Sequence, residues 1–417
     1  MKIALAHPTG NSNVRAVLTG LNEAGFLAEF STTFAVNPHA QWLNLFPAHI
    51  RRQYLRRAFP VPAHALRTHP YLELARMVCI WLGLEQPVTH ETGWASVDAV
   101  YQYLDNAVGC GLTKGFRRHG LDAVYTYEDG ALATFIEAKK LGIKCIYELP
   151  IAYWEFGKAL LLEEADRLPA WARTLQGGIS DSASKVRRKT RELELADIVV
   201  VPSQFVKDSL PAWSLDKSII MAPFGSPPSA TVPHTLQYKR DTANRPLRIL
   251  FAGSMGQRKG LADLFAAIRL LDRPDIELVV MGTLLAPLSF YRSQLPSFKY
   301  EPPRPHQQVL ELMQSCDIFC LPSIVEGRAL VMQEAMSQGL PLIITPNTGG
   351  ADLIEEGRTG FLAPIRSPEA LAEKILWFIH NRSALPQMRQ NAQAHAATFT
   401  WQRYSELIIS NLRKIFC

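Results

Sequence analysis

The sequence lacks the signatures of several classes of protein. Its six cysteines show no C-x-x-C spacing, and several lie inside apolar, strand-like runs, which favours free thiols in a reducing cytoplasm. No stretch reaches the ~18 uninterrupted apolar residues of a membrane span. The N-terminus has no long apolar core or small-residue cleavage site typical of a signal peptide. We therefore expect a cytoplasmic protein that is soluble or bound peripherally to the inner face of a membrane.

Motifs for several kinds of catalysis are also missing. The chain has no nucleophile elbow and no Cys/His pairing that would indicate hydrolysis. It has no G-x-G-x-x-G motif, so a dinucleotide site is weakly supported. It contains no D-x-D motif and no His/Asp cluster with the spacing of metal ligands. We therefore expect chemistry without a cofactor and without a metal ion.

Length and composition indicate an ordinary globular protein. A chain of 417 residues exceeds what one hydrophobic core usually supports, so we expect two domains of roughly 200 residues each. Of its residues, 47% are hydrophobic and 20% are charged, which argues against broad disorder. The net charge of +6 is too small for this length to indicate a nucleic acid partner.

In the first half, predicted strands end in loops that carry candidate functional residues. An apolar strand at residues 2–6 is followed by a loop with Gly10 and a helix with Arg15. A second strand, at residues 123–127, ends at Glu128 and Asp129. Side chains just past the carboxyl ends of parallel strands face the ligand crevice, so both carboxylates are candidates for chemistry. The alternative is that Asp129 merely caps the helix that follows.

Two later segments of this half carry aromatic and basic side chains. Tyr153 and Trp154 lie in a predicted loop after a strand, where their rings can stack on a ligand, such as the ring of a sugar, or simply pack. A basic helix follows, and we expect its face at residues 185–191 to be a solvated surface.

Residues 42–84 differ in composition from the rest of the first half. They contain six arginines against one acid, Glu73, together with large apolar side chains. We predict a helical insert that lies on an anionic membrane surface or holds a phosphorylated acceptor. The alternative is an insert that packs on the sheet with its arginines in water. Prolines at positions 47, 60 and 62 prevent one long amphipathic helix.

Residues 223–246 are rich in Pro, Gly, Ser and Thr, which is typical of a linker. We therefore predict an N-terminal domain at 1–222, a C-terminal domain at 247–398 and a terminal helix at 399–417. The second domain opens with a strand and a glycine loop that contains Gly253 and Ser254 and ends with Arg258 and Lys259. Because a helix follows, cationic side chains and backbone N–H groups can converge there on one diphosphate.

The stretch at residues 320–360 provides the second half of the predicted site. A strand ends in Pro-Ser, a loop carries Glu326 and Gly327, and a helix pattern begins near Ala329 and contains Glu334. The N-terminus of a helix suits a phosphate, and carboxylates accept hydrogen bonds from sugar hydroxyls. The combination predicts a site for a phosphate flanked by two sugars, which describes a nucleotide sugar. The alternative is a solvent-facing pair of acids on an ordinary helix.

These residues resemble the donor site of retaining GT-B glycosyltransferases of the large GT4 group. The resemblance rests on the E-x7-E pair Glu326 and Glu334, the Pro-Ser before it, the PLIITPNTGG after it and the closing EEGRTGFL. It covers the second half and, more faintly, the first. It implies a fold of two Rossmann-like, doubly wound α/β domains that face a central cleft, with a C-terminal helix that crosses back to the first domain.

The resemblance also implies roles for individual residues. Glu326 would contact the donor sugar, Glu334 the ribose and Lys259 the diphosphate, with backbone at Ala329 and Leu330 as further donors. The remaining donor-site candidates are Gly282, Arg304, Gly327 and Arg328. On the acceptor side, Gly10 would allow close approach and Arg15 would reach a phosphate, unless Arg15 is simply a solvated helix residue. Two departures stand out, because relatives often carry an arginine at Ser254 and a histidine near Glu128 and Asp129.

We therefore expect a retaining, metal-independent glycosyltransferase. It would move a sugar from a nucleoside diphosphate sugar to a hydroxyl of a glycan or lipid-linked acceptor, in the synthesis of cell-surface polysaccharide or glycolipid. The alternatives are a GT-B nucleotide-sugar epimerase, a phosphorylase, or a non-catalytic scaffold that binds nucleotide sugars. Besides the donor and acceptor, an anionic membrane surface is a candidate partner.

Overall fold

The fold is built on two parallel β-sheets that follow one another along the chain. A computed structural model describes residues 1–175, 178–227 and 245–416. Within these ranges the first sheet has seven strands in the order β3-β2-β1-β4-β5-β6-β7, all of them parallel. Their bounds are β1 Ile3–Ala6, β2 Leu27–Thr32, β3 Leu66–Thr68, β4 Ala123–Tyr127, β5 Lys144–Glu148, β6 Ile198–Val201 and β7 Ser218–Met221.

The second sheet repeats this plan. In the part of the chain that the structure describes it has six parallel strands in the order β10-β9-β8-β11-β12-β13. Their bounds are β8 Leu247–Ala252, β9 Ile276–Met281, β10 Phe298–Glu301, β11 Ile318–Leu321, β12 Leu342–Ile344 and β13 Gly360–Leu362. In both sheets the strand order reverses next to the first strand, and ligands of doubly wound folds bind at such a switch point.

Helices connect the strands and flank both sheets. The first domain contains Ser12–Glu23, Ala48–Leu55, Tyr71–Trp81, Val97–His119, Leu132–Lys140, Trp154–Arg167, Ala183–Leu195 and Gln204–Asp208. The second half contains Leu261–Leu271, Leu288–Gln294, His306–Gln314, Leu330–Ser337, Pro368–His380, Leu385–Ala396 and Trp401–Phe416. The prediction of two Rossmann-like α/β domains is confirmed.

The insert at residues 42–84 departs from the prediction of a purely helical segment. It contains two helices, but between them the chain adds strand β3 to the edge of the first sheet. The predicted linker lies between β7 and β8, and its residues 228–244 fall outside the described residues.

The C-terminal helix Trp401–Phe416 packs on the first domain. Its Tyr404, Ile408 and Leu412 are buried in the core beneath the first sheet. The Tyr404 hydroxyl donates a hydrogen bond of 2.9 Å to Glu148 at the end of β5. Glu148 also accepts from Tyr125 at 2.6 Å and from Asn13 at 2.7 Å. Burial raises the pKa of Glu148, and these donors oppose that shift.

The two cores do not follow the sequence boundary. Trp171 belongs to the first half of the chain, but it is buried in the core of the second sheet. Its ring lies 5.0 Å from Phe290 and 5.9 Å from Phe265, centroid to centroid. Nearby, Arg167 forms an ion pair of 2.9 Å with Asp263 of the second domain. The segment after helix Trp154–Arg167 is therefore anchored in the second domain.

The bond between Tyr404 and Glu148 provides a test of how the terminal helix is held. We expect Tyr404→Phe to lower the free energy of unfolding by about 1–3 kcal/mol, because a buried acceptor loses one of its donors. Urea denaturation followed by tryptophan fluorescence measures this. Tyr71→Phe is the matched control, since Tyr71 is exposed and its hydroxyl loss is expected to have little effect. Equal stability of the two variants would contradict the assignment.

Candidate active site

The candidate site lies where the loops after β8 and β11 meet. Both loops start at the carboxyl ends of adjacent strands of the second sheet, so the fold brings them together. The Ile324 N–H donates a hydrogen bond of 2.9 Å to the Arg258 carbonyl oxygen. A Cβ atom at Gly260 would lie 1.9 Å from the Pro322 carbonyl oxygen, so the two loops are in direct contact.

Two cations converge on one carboxylate in this loop pair. The Lys259 Nζ lies 2.6 Å from the Glu326 Oε1, and the Arg258 guanidinium lies 3.0 Å from the same oxygen. Burial alone would raise the pKa of Glu326, but Lys259 and Arg258 outweigh it and hold that pKa below its usual range. The cluster therefore has one more positive than negative charge, which suits an anionic ligand.

The glycine loop leaves room for the lysine side chain. A Cβ atom at Gly253 would lie 2.7 Å from the Lys259 Cδ, so the glycine leaves room for the lysine just after the end of β8. The neighbouring Ser254 accepts a bond of 2.8 Å from the Gly256 N–H through its backbone carbonyl. Gly282, at the end of β9, packs directly against Gly253.

Helix Leu330–Ser337 begins next to Glu326. The Leu330 N–H lies in its first turn and has no acceptor within the helix, as at any helix start. The Ala329 N–H departs from the prediction that it is a phosphate donor, because it already donates to the Thr348 carbonyl oxygen at 3.2 Å. Glu334 is half-buried, and its Oε1 lies 3.7 Å from His306. Burial raises the pKa of Glu334, and His306 opposes that shift.

Gly327 and Arg328 contact other parts of the protein: Gly327 lies against the first domain, and Arg328 binds side chains of the second. A Cβ atom at Gly327 would lie 1.8 Å from the Pro150 carbonyl oxygen of the first domain, so this glycine permits a close approach of the two domains. The Arg328 guanidinium is buried and binds Asp352 at 2.6 Å and Gln333 at 3.0 Å. The prediction of Arg328 as a donor ligand is therefore not supported, because its guanidinium is committed to residues of its own domain.

Gly282 directly follows β9, and Arg304 lies in the loop after β10, the edge strand of the second sheet. Arg304 follows β10 and forms an ion pair with Glu301 at the end of that strand. The Tyr300 hydroxyl donates to the Gly282 carbonyl oxygen at 3.2 Å. These contacts place Arg304 and Gly282 at the same edge of the sheet as the cation cluster, and their roles toward a base or sugar stay predictions.

A cavity of about 290 Å³ lies between the two domains. Arg258 and Val325 of the second domain form one side, and Glu128 and Trp154 of the first domain form part of the other. Arg258 thus contacts both this cavity and Glu326. The structure therefore brings Arg258, Lys259, Glu326 and Glu128 into one region of the cleft.

The helix Ala183–Leu195 corrects the expectation of a solvated basic face at residues 185–191. Lys185, Arg188 and Lys189 are largely buried and face the acids of the first domain. Arg188 forms an ion pair of 3.0 Å with Asp129, and Lys189 lies 3.3 Å from Asp181. Sequence periodicity missed this arrangement because Asp98 and Asp129 come from distant parts of the chain.

This network fixes the two carboxylates after β4. Asp129 has a φ of 72°, and its side chain is held by Arg188 instead of capping helix Leu132–Lys140. Burial raises the pKa of Glu128 to about 7, although Lys189, 3.5 Å away, opposes the shift. Because Glu128 lines the cavity and titrates near neutrality, it has the properties of a proton acceptor in the cleft.

Two acceptor-side predictions, Arg15 and Tyr153, need correction. The Arg15 guanidinium donates to the backbone carbonyl oxygens of Gly10, Arg56 and Ala58, so it anchors the insert and is not aimed at a phosphate. A Cβ atom at Gly10 would lie 2.2 Å from the Phe59 ring, and the role of Gly10 toward a ligand stays a prediction. Tyr153 is buried and bonds to Thr190, so its ring packs in the core. Trp154 bonds to Thr190 as well but also lines the cavity.

The structure assembles one group of metal-ligand type that the sequence spacing did not indicate. Among the described residues, ligand atoms of His90, Glu91 and Asp181 lie within 4.8 Å of one another. Both Asp181 oxygens are already engaged, by Lys185 at 3.2 Å and by Lys189 at 3.3 Å. Two ammonium groups at this distance compete with a cation, so the donor set fits a metal poorly.

Comparisons with known proteins link the second domain to sugar transfer. Residues 236–395 match the family model of glycosyl transferases group 1. An uncharacterized glycosyltransferase of Methanocaldococcus jannaschii is 26% identical over 169 residues, 40% of this chain and 47% of the relative. An amylovoran biosynthesis glycosyltransferase of Erwinia amylovora is 30% identical over 155 residues, 33% of this chain and 37% of the relative. The chain thus matches less than half the length of these curated relatives.

Solved structures match over the whole chain. Sucrose-phosphate synthase from Thermosynechococcus elongatus has a TM-score of 0.64 at 16% identity and covers 100% of this chain and 99% of its own. The structure of HepE from Anabaena in complex with UDP has a TM-score of 0.61 at 15% identity. The match covers 99% of this chain and 100% of the HepE chain. These likenesses show that the chain has the GT-B fold. Among the described residues, no helix combines the length and apolarity that crossing a membrane requires.

The raised pKa of Glu128 predicts a pH dependence. Because the folded protein holds this proton more tightly, the unfolded chain loses it first as the pH rises from ~4.5 to ~7, and the fold loses stability over that window. We expect the wild type to lose stability relative to Glu128→Gln by about 1 kcal/mol per pH unit in this window. Urea denaturation of both proteins from pH 5 to 8 measures the difference, and a pH-independent difference would contradict it.

Proposed function

We propose that the protein is a nucleotide-sugar-dependent glycosyltransferase. The observation that carries this proposal is the convergence of Lys259 and Arg258 on Glu326, beside the start of helix Leu330–Ser337. Transfer of a sugar from a nucleoside diphosphate requires that the departing diphosphate be neutralised. A cationic loop next to a helix N-terminus supplies that charge, and the match to glycosyl transferases group 1 covers the same domain.

The roles of the site residues follow from their chemistry. Lys259 and Arg258 would stabilise the departing diphosphate, Glu326 would hold both cations and accept a hydrogen bond from the donor sugar, and Glu334 would bind the ribose. We propose that transfer proceeds with retention, through attack on the face that the diphosphate leaves, so that a diphosphate oxygen takes the acceptor's proton. This is the mechanism expected of the GT4 group. It gives no role to a bound metal, because fixed cations neutralise the leaving group.

The acceptor side of the cleft is defined by Glu128 and Trp154. The Glu128 carboxylate can accept a hydrogen bond from an attacking hydroxyl and orient it, and the Trp154 ring offers a face for stacking on a sugar. We therefore propose a hydroxyl of a glycan or lipid-linked glycan as acceptor, in the synthesis of cell-surface polysaccharide or glycolipid. The relative from Erwinia amylovora, named for amylovoran biosynthesis, supports the polysaccharide assignment.

Turnover of the donor tests this function. We expect Lys259→Ala to lower kcat for release of nucleoside diphosphate by about 10²–10³-fold, because the transition state loses a fixed cation in a water-poor site. Release from a panel of UDP-, GDP-, ADP- and dTDP-sugars is measured with and without a glycan acceptor. Binding of a donor without any release would favour a scaffold, conversion of the donor sugar to its epimer an epimerase, and release that requires inorganic phosphate a phosphorylase.

Two controls sharpen this experiment. Lys140→Ala removes an exposed lysine of the first domain and is expected to leave turnover unchanged. The same assays in EDTA test metal independence, with unchanged rates expected. Loss of turnover in EDTA, or equal turnover of Lys259→Ala and the wild type, would contradict the proposed mechanism.

We also propose that the insert docks the enzyme on an anionic membrane surface. Helix Tyr71–Trp81 and the turn after it expose large apolar side chains to solvent: Tyr71, Leu74, Met77, Val78, Trp81 and Leu82. The Trp81 side chain is 83% exposed. The ion pair of 2.8 Å between Arg57 and Glu73 joins this helix to the segment that presents Arg51, Arg52 and Arg56. Exposed apolar groups beside exposed basic groups suit anionic lipid.

Vesicle binding tests this surface. We expect co-sedimentation with vesicles of phosphatidylglycerol and phosphatidylcholine to fall several-fold in Val78→Ser/Trp81→Ser, because the variant removes apolar area that the bilayer would cover. Trp213→Ser is the matched control, since Trp213 is also exposed but lies in the turn before β7. Equal binding of all variants, or equal binding to pure phosphatidylcholine, would contradict the proposal.

A further inference from the structure

A second cavity lies on the first domain, away from the cleft. It has a volume of about 450 Å³ and is formed by strands β2 and β3 on one side and helix Val97–His119 on the other. It shares no lining residue with the cavity between the domains. Its position at the edge strand β3 separates it from Lys259 and Glu326, which belong to the second sheet.

The sheet face that lines this cavity is polar. Glu29 and Ser31 of β2 point to the same side as Arg67 of β3, because Ser31 pairs with Arg67 in the parallel register. The opposite side of the same strands is apolar, and Phe30 is buried there in the core. Sheets of this type are normally apolar on both faces, since helices cover both. A polar inner face is costly unless its groups find partners, and part of the compensation here comes from Glu29 and Arg67, which lie 3.8 Å apart.

The helix wall of the cavity is shaped by small residues. Ala107, Gly111 and Gly115 follow one another at intervals of four, so they share one face of helix Val97–His119. A Cβ atom at Gly111 would meet no atom within 4 Å, which shows that the space in front of it is open. Lys114 and Arg118, also four residues apart, line the same cavity. Because Gly111 and Gly115 have no side chains, the cavity extends to the backbone of the helix, and Lys114 and Arg118 lie at its border.

The charges of the cavity favour an anion. Arg67, Lys114 and Arg118 contribute three positive charges against one negative charge from Glu29, and His64 and His69 add ring nitrogens. The Arg67 Nε lies 3.8 Å from Glu29, and its Nη1 donates to the carbonyl oxygens of His64 and Leu66 at 2.9 and 3.1 Å. Arg67 is therefore held by the protein, and Lys114 and Arg118 supply the further positive charge. Guanidinium and ammonium groups together match a phosphate, whereas Glu29 and Ser31 match hydroxyl groups.

We propose that this cavity binds a small phosphate ester that also carries hydroxyl groups, such as a phosphorylated monosaccharide. The phosphate is held by Lys114 and Arg118, with Arg67 adding positive charge beside them, and the hydroxyl groups are held by Glu29 and Ser31. This site is independent of the donor site and of the proposed transfer reaction.

Calorimetric titration of the full chain with galactose 6-phosphate, galacturonate and galactose tests the proposal. We expect saturable binding of galactose 6-phosphate, at least 10-fold weaker binding of galacturonate, and no binding of galactose. Absence of saturable binding by galactose 6-phosphate would overturn the site. Equal affinity for galactose would overturn the assignment of an anionic ligand, and tighter binding of galacturonate would overturn the assignment of a phosphate.

Variants at Gly111 separate ligand binding from folding. Gly111→Glu places a carboxylate in the open space, and both Glu and Ala are better helix formers than Gly, so the fold is expected to persist. We expect Gly111→Glu to abolish binding of galactose 6-phosphate and Gly111→Ala to retain it. Undiminished binding by Gly111→Glu would overturn the location of the site.

A double variant that replaces two basic residues of the cavity with neutral ones provides the second line of evidence. Lys114→Gln/Arg118→Gln is expected to weaken binding of galactose 6-phosphate by at least 10-fold, whereas Arg117→Gln, an exposed neighbour outside the cavity, is expected to leave it unchanged. UDP binding is measured for each variant and is expected to stay at the wild-type level. A failure of the phosphate-ester site therefore does not affect the assignment of the donor site. Equal affinities of Lys114→Gln/Arg118→Gln and Arg117→Gln for galactose 6-phosphate would overturn the role of Lys114 and Arg118.

Discussion

The ion pairs between Glu326 and the two cations Arg258 and Lys259 are the constraint on which the rest of the site depends. A carboxylate that is almost fully buried needs compensation, and a lysine and an arginine from the neighbouring loop provide it. Glu326 is held by both cations, and each cation is held by Glu326. The result is a cationic centre that is arranged before any ligand arrives, which is the condition under which fixed charges stabilise a developing anion effectively.

Backbone geometry supports this arrangement. Gly253 leaves space for the lysine chain, Gly260 lets the two loops touch, and Gly327 allows the Pro150 carbonyl to approach. On the other side of the cleft, the Ser203 hydroxyl donates a bond of 2.6 Å to the Gly327 carbonyl oxygen. The loop that carries Glu326 is therefore held by both domains, and the position of the carboxylate depends on how the domains meet.

The strands and loops of the site could be predicted from sequence because they depend on local patterns. Apolar runs defined β4, β8, β9 and β11, and the rule for carboxyl ends of parallel strands placed Lys259 near Glu326. Orientation of long basic side chains could not be predicted in this way. Arg15 points to carbonyl groups that lie about 40 residues along the chain, and Arg188 points to acids at positions 98 and 129. A charge pattern on one helix carries no information about which acids will face it.

The burial of Trp171 shows that the structural units of this protein are not the two halves of its sequence. Its indole completes the core of the second sheet, although its helix belongs to the first half of the chain. If the chain were cut in the linker, the C-terminal fragment would have a cavity in its core where the indole packs. The N-terminal fragment would expose the indole to solvent. The segment around Trp171 therefore connects the two domains. In any hinge motion of the cleft, this segment of the first half of the chain moves together with the second domain.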